Sequence, residues 1–286
     1  MVPRLDLNDG HTMPQLGLGL MRFGSEAETA ATLARAASAG YRLFDSAAVY
    51  GNEREVGEGL AACGIPREAL FVTTKLWNAD QGREAPHAAL RASLDRLGLA
   101  QVDLYLIHWP LPMFDRYVDS WRALIELREA GLTRSIGVSN FTEEHLLRLI
   151  DETGIVPAVN QIELHPRFQQ HALRACHDRL GMVTHAWSPF GGGGSGQTPL
   201  LQDPTLTRIA DKHDRSPSQV VLRWLTMIGA AAIPKATGAA HLEQNLAALT
   251  LELDSEDLAA IAALDSAAGR TGPDPETFAL TGLPAS

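Results

Sequence analysis

One unit recurs along the 286-residue chain: a helical stretch, a glycine, a short apolar run and then a polar residue. It reads "SAG-YRLFD", "RLG-LAQVDLYLIH", "EAG-LTRSIGVS" and "RLG-MVTHAWS", with Gly40, Gly98, Gly131 and Gly181 at the junctions. A helix commonly ends on a left-handed residue, and glycine takes that conformation without a Cβ clash. Each repeat is therefore a helix that stops at a set place and hands the chain to a strand. Eight strands are expected, over 17–20, 42–45, 71–75, 104–108, 135–139, 158–162, 183–187 and 231–235. Most are continuous apolar runs, the pattern of parallel strands covered by helices. Eight β/α units closing on themselves, a (β/α)8 or TIM barrel, is the economical topology. The rival is an open doubly wound sheet, but Gly17-Leu18-Gly19-Leu20-Met21-Arg22 lacks the third glycine of a dinucleotide fingerprint.

The length suits a single barrel domain over 1–286, and no linker or shift of composition marks a second one. Residues 5–16 alternate apolar and polar around Asn8-Asp9-Gly10, which reads as an N-terminal β-hairpin (1–16) able to plug one barrel end. A Pro/Gly-bearing C-terminal tail occupies 269–286. Ser25 to Glu28 has capping-box spacing, and Ser216-Pro217-Ser218-Gln219 adds a proline at the first helical position. A net charge of -10 excludes the basic footprint of a nucleic-acid binder. Two cysteines, Cys63 and Cys176, form neither a disulfide framework nor a paired metal-ligand spacing. With no leader-like start and no apolar run of bilayer length, the expectation is a soluble cytoplasmic protein that needs no membrane. A monomer is expected, with a weak dimer as the alternative.

In such a barrel the carboxyl ends of the strands meet around one mouth. Those ends carry Asp45, Lys75, His108, Ser139, Asn140, Gln161, Trp187, Ser188 and Lys235, a set too polar for a core, and Tyr50 follows Asp45 by a short loop. Singly, each has a bland reading: a capping acid, a rim phenol, a surface lysine, a satisfied core histidine. Their occurrence at successive strand ends argues for one site. No established metal-site spacing occurs: His171 with His177, Glu163 with His165 and His241 with Glu243 read as surface or packing residues. "GGGGSG" lacks the Gly-Lys-Ser/Thr of a P-loop.

The segments "DSAAVYGNEREVG", "TTKLW", "LIHWP", "GVSNF", "NQIELHP" and "IPK" occur in the order and approximate spacing of the aldo-keto reductase superfamily, which the chain resembles from the hairpin to about Leu264. It looks most like the compact microbial members, which include diketogluconate and glyoxal-type reductases. The resemblance implies reduction of a small-molecule carbonyl substrate by hydride from a nicotinamide, with Asp45, Tyr50, Lys75 and His108 as the catalytic group. An ordinary phenol has a pKa of about 10, so the Lys75 ammonium is expected to favour the phenolate and Asp45 to hold that lysine. Tyr50 then protonates the developing alkoxide, while His108 orients the carbonyl oxygen. No metal is required.

The resemblance also assigns the cofactor shell. Gly19, Leu20 and Met21 lie along the cofactor, and Ser139, Asn140 and Gln161 face the nicotinamide carboxamide, whose donors and acceptors they can match. Trp187 stands where the family usually stacks a tyrosine on the nicotinamide. Ser188, Phe190 and Gly191 open the pyrophosphate segment, read otherwise as the start of a ligand-free flexible loop. Lys235, Ala236 and Thr237 follow the eighth strand at the adenosine 2′-phosphate, which favours NADPH. His241 replaces the family's usual arginine and Gln244, beside Asn245, its frequent glutamate, so use of NADH is the alternative. Met21, Phe23, Trp77, His108 and Trp109 are the substrate candidates, and a small aldehyde, dicarbonyl or keto sugar is expected. Two rivals stand: a nucleotide-binding regulatory subunit of the same fold, and a metal-dependent hydrolase or aldolase barrel.

Overall fold

A computed structural model of the chain describes residues 2–21, 26–192 and 199–282. Strands β1 (Arg4–Asp6) and β2 (Thr12–Pro14) pair antiparallel as the expected hairpin. Eight parallel strands follow: β3 (Leu18–Gly19), β4 (Leu43–Asp45), β5 (Phe71–Leu76), β6 (Val102–Ile107), β7 (Thr133–Ser139), β8 (Val159–Glu163), β9 (Val183–Trp187) and β10 (Ala231–Ala232). Their order in the sheet is their order in the chain. The two edges meet: Gly17 N donates to Ala232 O at 2.9 Å, Ala232 N to Gln15 O at 2.9 Å and Gly19 N to Pro234 O at 3.2 Å. The sheet is thereby closed into the (β/α)8 barrel.

Helices α1 (Glu26–Ala39), α2 (Glu53–Ala62), α3 (Ala85–Leu97), α4 (Tyr117–Glu129), α5 (Glu143–Thr153), α6 (His171–Leu180), α7 (Pro204–Lys212), α8 (Pro217–Met227), α9 (Ala239–Ala247) and α10 (Ser255–Ala262) complete the fold. Gly98 and Gly181 end α3 and α6 with φ of 64° and 66°, the left-handed conformation that the repeat requires of them. The box at Ser216 forms, with Gln219 N donating to Ser216 Oγ and Ser216 N to Gln219 Oε1; the one at Ser25 lies outside the described residues. The eighth strand is shorter than 231–235, because Pro234 offers no N–H to a ladder.

Apolar side chains fill both layers. Leu33, Leu60, Leu90, Leu124 and Leu149 belong to the buried packing between helices and sheet over the first half, and Leu206, Val220, Leu225 and Ile261 do so in the second. Inside the barrel, Leu43, Leu104, Leu106, Val159 and Val183 pack with Leu7 and Met13 of the hairpin segment. The hairpin therefore closes the amino ends of the strands, leaving the carboxyl ends as the mouth. Among the described residues no helix is long and apolar enough to cross a membrane.

Candidate active site

Parallel pairing of β4 and β5 sets Asp45 against Thr73, and the two-residue alternation of a strand turns Lys75 toward the same lumen. Lys75 is fully buried and ion-paired with Asp45. Its Nζ also donates to Ser46 O at 2.9 Å and to the Tyr50 hydroxyl at 3.4 Å. Tyr50 ends the short turn Ala48–Tyr50 directly after β4, so a chain that leaves one strand returns its phenol to a lysine on the next.

The electrostatics differ from expectation. Burial raises the Tyr50 phenol above its ordinary value, and this outweighs the lowering by Lys75, while Asp45 raises it further. Burial alone would lower the pKa of Lys75, but Asp45 and Tyr50 together raise it above the usual lysine value. The ammonium is thus secure, and the phenol keeps its proton instead of becoming more acidic. His108 lies one residue beyond β6, its ring edge-on to Tyr50 at 6.0 Å and to Trp77 at 5.3 Å between centroids. Burial first, then the charge of Lys75, push its pKa well below 6.5, so the imidazole is neutral at pH 7. Its Nδ1 is buried with no partner among the described residues.

The next strands continue the wall. Ser139 and Gln161 are register partners on β7 and β8. The Gln161 amide donates to Asp45 Oδ2 at 2.7 Å and faces His185 Nδ1 at 3.1 Å. Asn140 and Ser188 take left-handed φ of 64° and 47°, a strain that the surrounding bonds must hold. For Asn140 those bonds are visible: its amide donates to His108 O at 3.0 Å and its oxygen accepts from Trp187 Nε1 at 2.8 Å. Phe190 and Gly191 follow, with Gly191 at φ 68° against Leu200; residues 193–198 of the glycine run lie outside the described residues.

Beyond β10, Lys235 is exposed, Ala236 buried, and the Thr237 carbonyl accepts from Arg35 of α1 at 3.0 Å. His241 and Gln244 are exposed on α9, whereas Asn245 is buried on it. Gly19 lies so close to Ile233 O, 2.9 Å from where a Cβ would be, that no side chain fits there. Leu20 is buried and Met21 is 47 % exposed beside it; Phe23 lies outside the described residues.

An aromatic rim stands above this floor. Trp77, Trp109 and Leu111 are buried together, with Val49, Trp187 and Phe278 packed on them. Phe278 comes from the tail, its ring 4.4 Å from Trp109 between centroids. Trp77 Nε1 donates to Thr281 O at 3.1 Å and Asn78 Nδ2 to Leu280 O at 2.7 Å.

A second fastening was not legible in the sequence. Glu163, 2 % exposed, accepts from Thr271 N at 2.7 Å, Thr271 Oγ1 at 2.5 Å and Gly272 N at 2.9 Å, with His165 Nε2 at 3.1 Å. Burial would raise its pKa, but those bonds together lower it below the ordinary value. Gly272 lies against the Trp187 indole, and Thr271 Oγ1 accepts from Gly192 N at 3.2 Å. Glu163 is therefore a buried anchor for the tail with His165 beside it, which is the packing role expected of the pair and not the surface one. Sequence reasoning also missed His185, whose position in the period of β9 was the available signal. Among the described residues no group of three or more His, Cys, Asp or Glu side chains is placed to hold a metal ion.

Comparison with known proteins agrees with this geometry. The model of the Aldo/keto reductase family matches residues 15–266. An aldo-keto reductase of Mycolicibacterium smegmatis is 49% identical over 99% of this chain and 100% of its own length. Methylglyoxal reductase DkgA of Salmonella typhimurium is 46% identical over 95% and 96%. Among solved structures, a mutant of Gox0644 in complex with NADPH superposes with a TM-score of 0.91 at 44% identity, covering 98% of this chain and 100% of that one. An aldo-keto reductase of Bombyx mori in complex with NADP gives 0.86 at 40%, covering 92% and 93%. With a family match over most of its length and relatives near half-identical end to end, the chain belongs to the aldo/keto reductase family.

Proposed function

We propose that the chain is an NADPH-dependent reductase that converts a small aldehyde or dicarbonyl to an alcohol. The observation that carries this reading is the contiguous set Asp45, Lys75 and Tyr50 at the floor of the mouth with a neutral His108 beside it. When bound, the reduced nicotinamide supplies hydride to the carbonyl carbon. Tyr50 delivers the proton that completes the alcohol, because an alkoxide is a far stronger base than a phenolate and takes the proton even from a phenol of raised pKa. Lys75 then steadies the phenolate that remains, and Asp45 keeps Lys75 charged and in place. His108, uncharged, orients the carbonyl oxygen by a hydrogen bond instead of donating a full charge.

The residues present fit a nicotinamide. Gln161 spends both amide hydrogens on Asp45 and His185, so its oxygen is left to accept from a carboxamide N–H. Trp187, held by Asn140, offers a flat apolar face at the mouth. Lys235, with Thr237 and the exposed His241 nearby, supplies the charge that would meet a 2′-phosphate. The methylglyoxal reductase relatives and the neighbour in complex with NADPH support this choice of substrate class and cofactor.

The test is a steady-state screen of aldehydes, dicarbonyls and keto sugars with NADPH and with NADH. Oxidation of NADPH with methylglyoxal or a similar dicarbonyl, insensitive to a chelator, is expected. Tight NADPH binding without turnover across the panel would favour the regulatory-subunit reading.

A further inference from the structure

The floor of the mouth continues downward to a residue that the reaction does not touch. His185 is completely buried on β9, beside Gln161 of β8 on one side and Ala231 of β10 on the other. Its Nδ1 faces the Gln161 amide nitrogen, which also donates to Asp45 Oδ2. An amide N–H₂ has only donors, so Nδ1 must be the accepting nitrogen and the ring proton belongs on Nε2, by inference from the network. Burial pushes the His185 pKa down to about 4, with Asp45 pulling it up and Lys75 adding to the fall. Those two are the charged groups that face it, both from across the lumen; the neutral tautomer is therefore the form present at pH 7.

We infer that His185 is a positioning residue for carbonyl reduction: by accepting the second amide hydrogen of Gln161 it fixes the plane of that amide, so that one end serves Asp45 and the other faces the mouth. One hydrogen bond leaves a planar amide free to turn about the bond axis; two from the same nitrogen do not. The His185 ring is completely buried, so its effect would be carried by Gln161 to a bound carboxamide and by Asp45 to Lys75 and Tyr50. The inference rests on the proposed nicotinamide reductase activity, which supplies the ligand that Gln161 faces.

The experiment compares His185→Asn with His185→Leu. Asparagine places an acceptor oxygen near the position of Nδ1, whereas leucine fills the lumen and accepts nothing. NADPH is titrated into each chain by tryptophan-fluorescence quenching, and kcat is measured with methylglyoxal. His185→Leu is expected to weaken NADPH binding and lower kcat by about tenfold each, while His185→Asn stays within about threefold of the unaltered chain. Should the leucine variant not fold, by its circular dichroism, His185→Met takes its place. Unchanged Kd and kcat in the apolar variant would overturn the inference, as would equal losses in both variants, which mark a lumen-filling role. Failure of the unaltered chain to bind or oxidise NADPH would instead overturn the functional reading, and this inference with it.

Discussion

Asp45, Lys75 and Gln161 sit on strands and meet inside the lumen, whereas Trp77, Trp109 and Phe278 meet above them, in part on a tail that no strand holds. The floor is polar and buried, each charge matched by a partner fixed through the sheet register. The rim is aromatic and is assembled from segments far apart in the chain, fastened by Glu163 at one end and by backbone acceptors at 280 and 281 at the other. A strand-borne site resists displacement because moving one residue breaks ladder bonds on both sides. A tail-borne wall moves when a few hydrogen bonds go. Changes to the floor should therefore act on kcat, and changes to the rim on KM and on the choice of substrate.

The largest effect should come from Tyr50→Phe, which keeps the ring and removes the proton: kcat falls by about a thousandfold, while the Kd for NADPH by fluorescence titration stays nearly unchanged. Near-full turnover in that variant would remove the floor from the chemistry. Asp45→Asn comes next, since it leaves the Lys75 ammonium buried without its counter-charge; a stability loss of about 3 kcal/mol in denaturant unfolding is expected, together with a large fall in kcat.

Rim changes should be milder and of another kind. Glu163→Gln replaces an acceptor of three tail bonds by a group with one oxygen, and about tenfold weaker NADPH binding and faster proteolysis of the tail are expected. The same anchor has a pH sign. Because the folded pKa of Glu163 lies below its unfolded value, its stabilisation is present above the ordinary carboxyl value of 4.5 and is lost as pH falls through the folded pKa. Phe278→Ala uncovers Trp109 and should raise KM for apolar aldehydes about fivefold with kcat kept; an unchanged KM would deny the tail a share in the pocket.

The smallest effect separates the floor from ordinary histidine chemistry. In the proposed mechanism Tyr50 works while protonated and its pKa is raised, so activity should be lost only as pH rises beyond the ordinary phenol value of 10.0. In the same proposal His108 works while neutral and its pKa is lowered, so its limb should lie well under 6.5. Between about pH 6 and 9, kcat for reduction should change by less than about twofold. A limb near 6.5 that vanishes in His108→Asn would place that imidazole in water, against the burial found for it.

Much of the floor was legible before any coordinates. Apolar runs, four of them announced by a glycine, set the strand count, and polar residues at the ends of those runs marked the mouth, because burial makes such positions costly without a purpose. The sign of the Tyr50 shift was not legible, since it depends on whether burial or the Lys75 charge prevails. His185 escaped because its place in the period of β9 marks only the face it takes, and not the Gln161 amide that the register sets beside it.

Local sequence determined the strand-forming runs, the glycine helix ends and the acid, lysine, phenol and imidazole that follow those runs, since backbone conformation and side-chain alternation act over a few residues. Only the closed tertiary structure decided that Glu163 holds the tail, that Phe278 lies on Trp109 and that burial outweighs the ammonium at Tyr50. Those outcomes depend on contacts between distant segments and on the exclusion of water from a finished interior, quantities that no short stretch of chain contains.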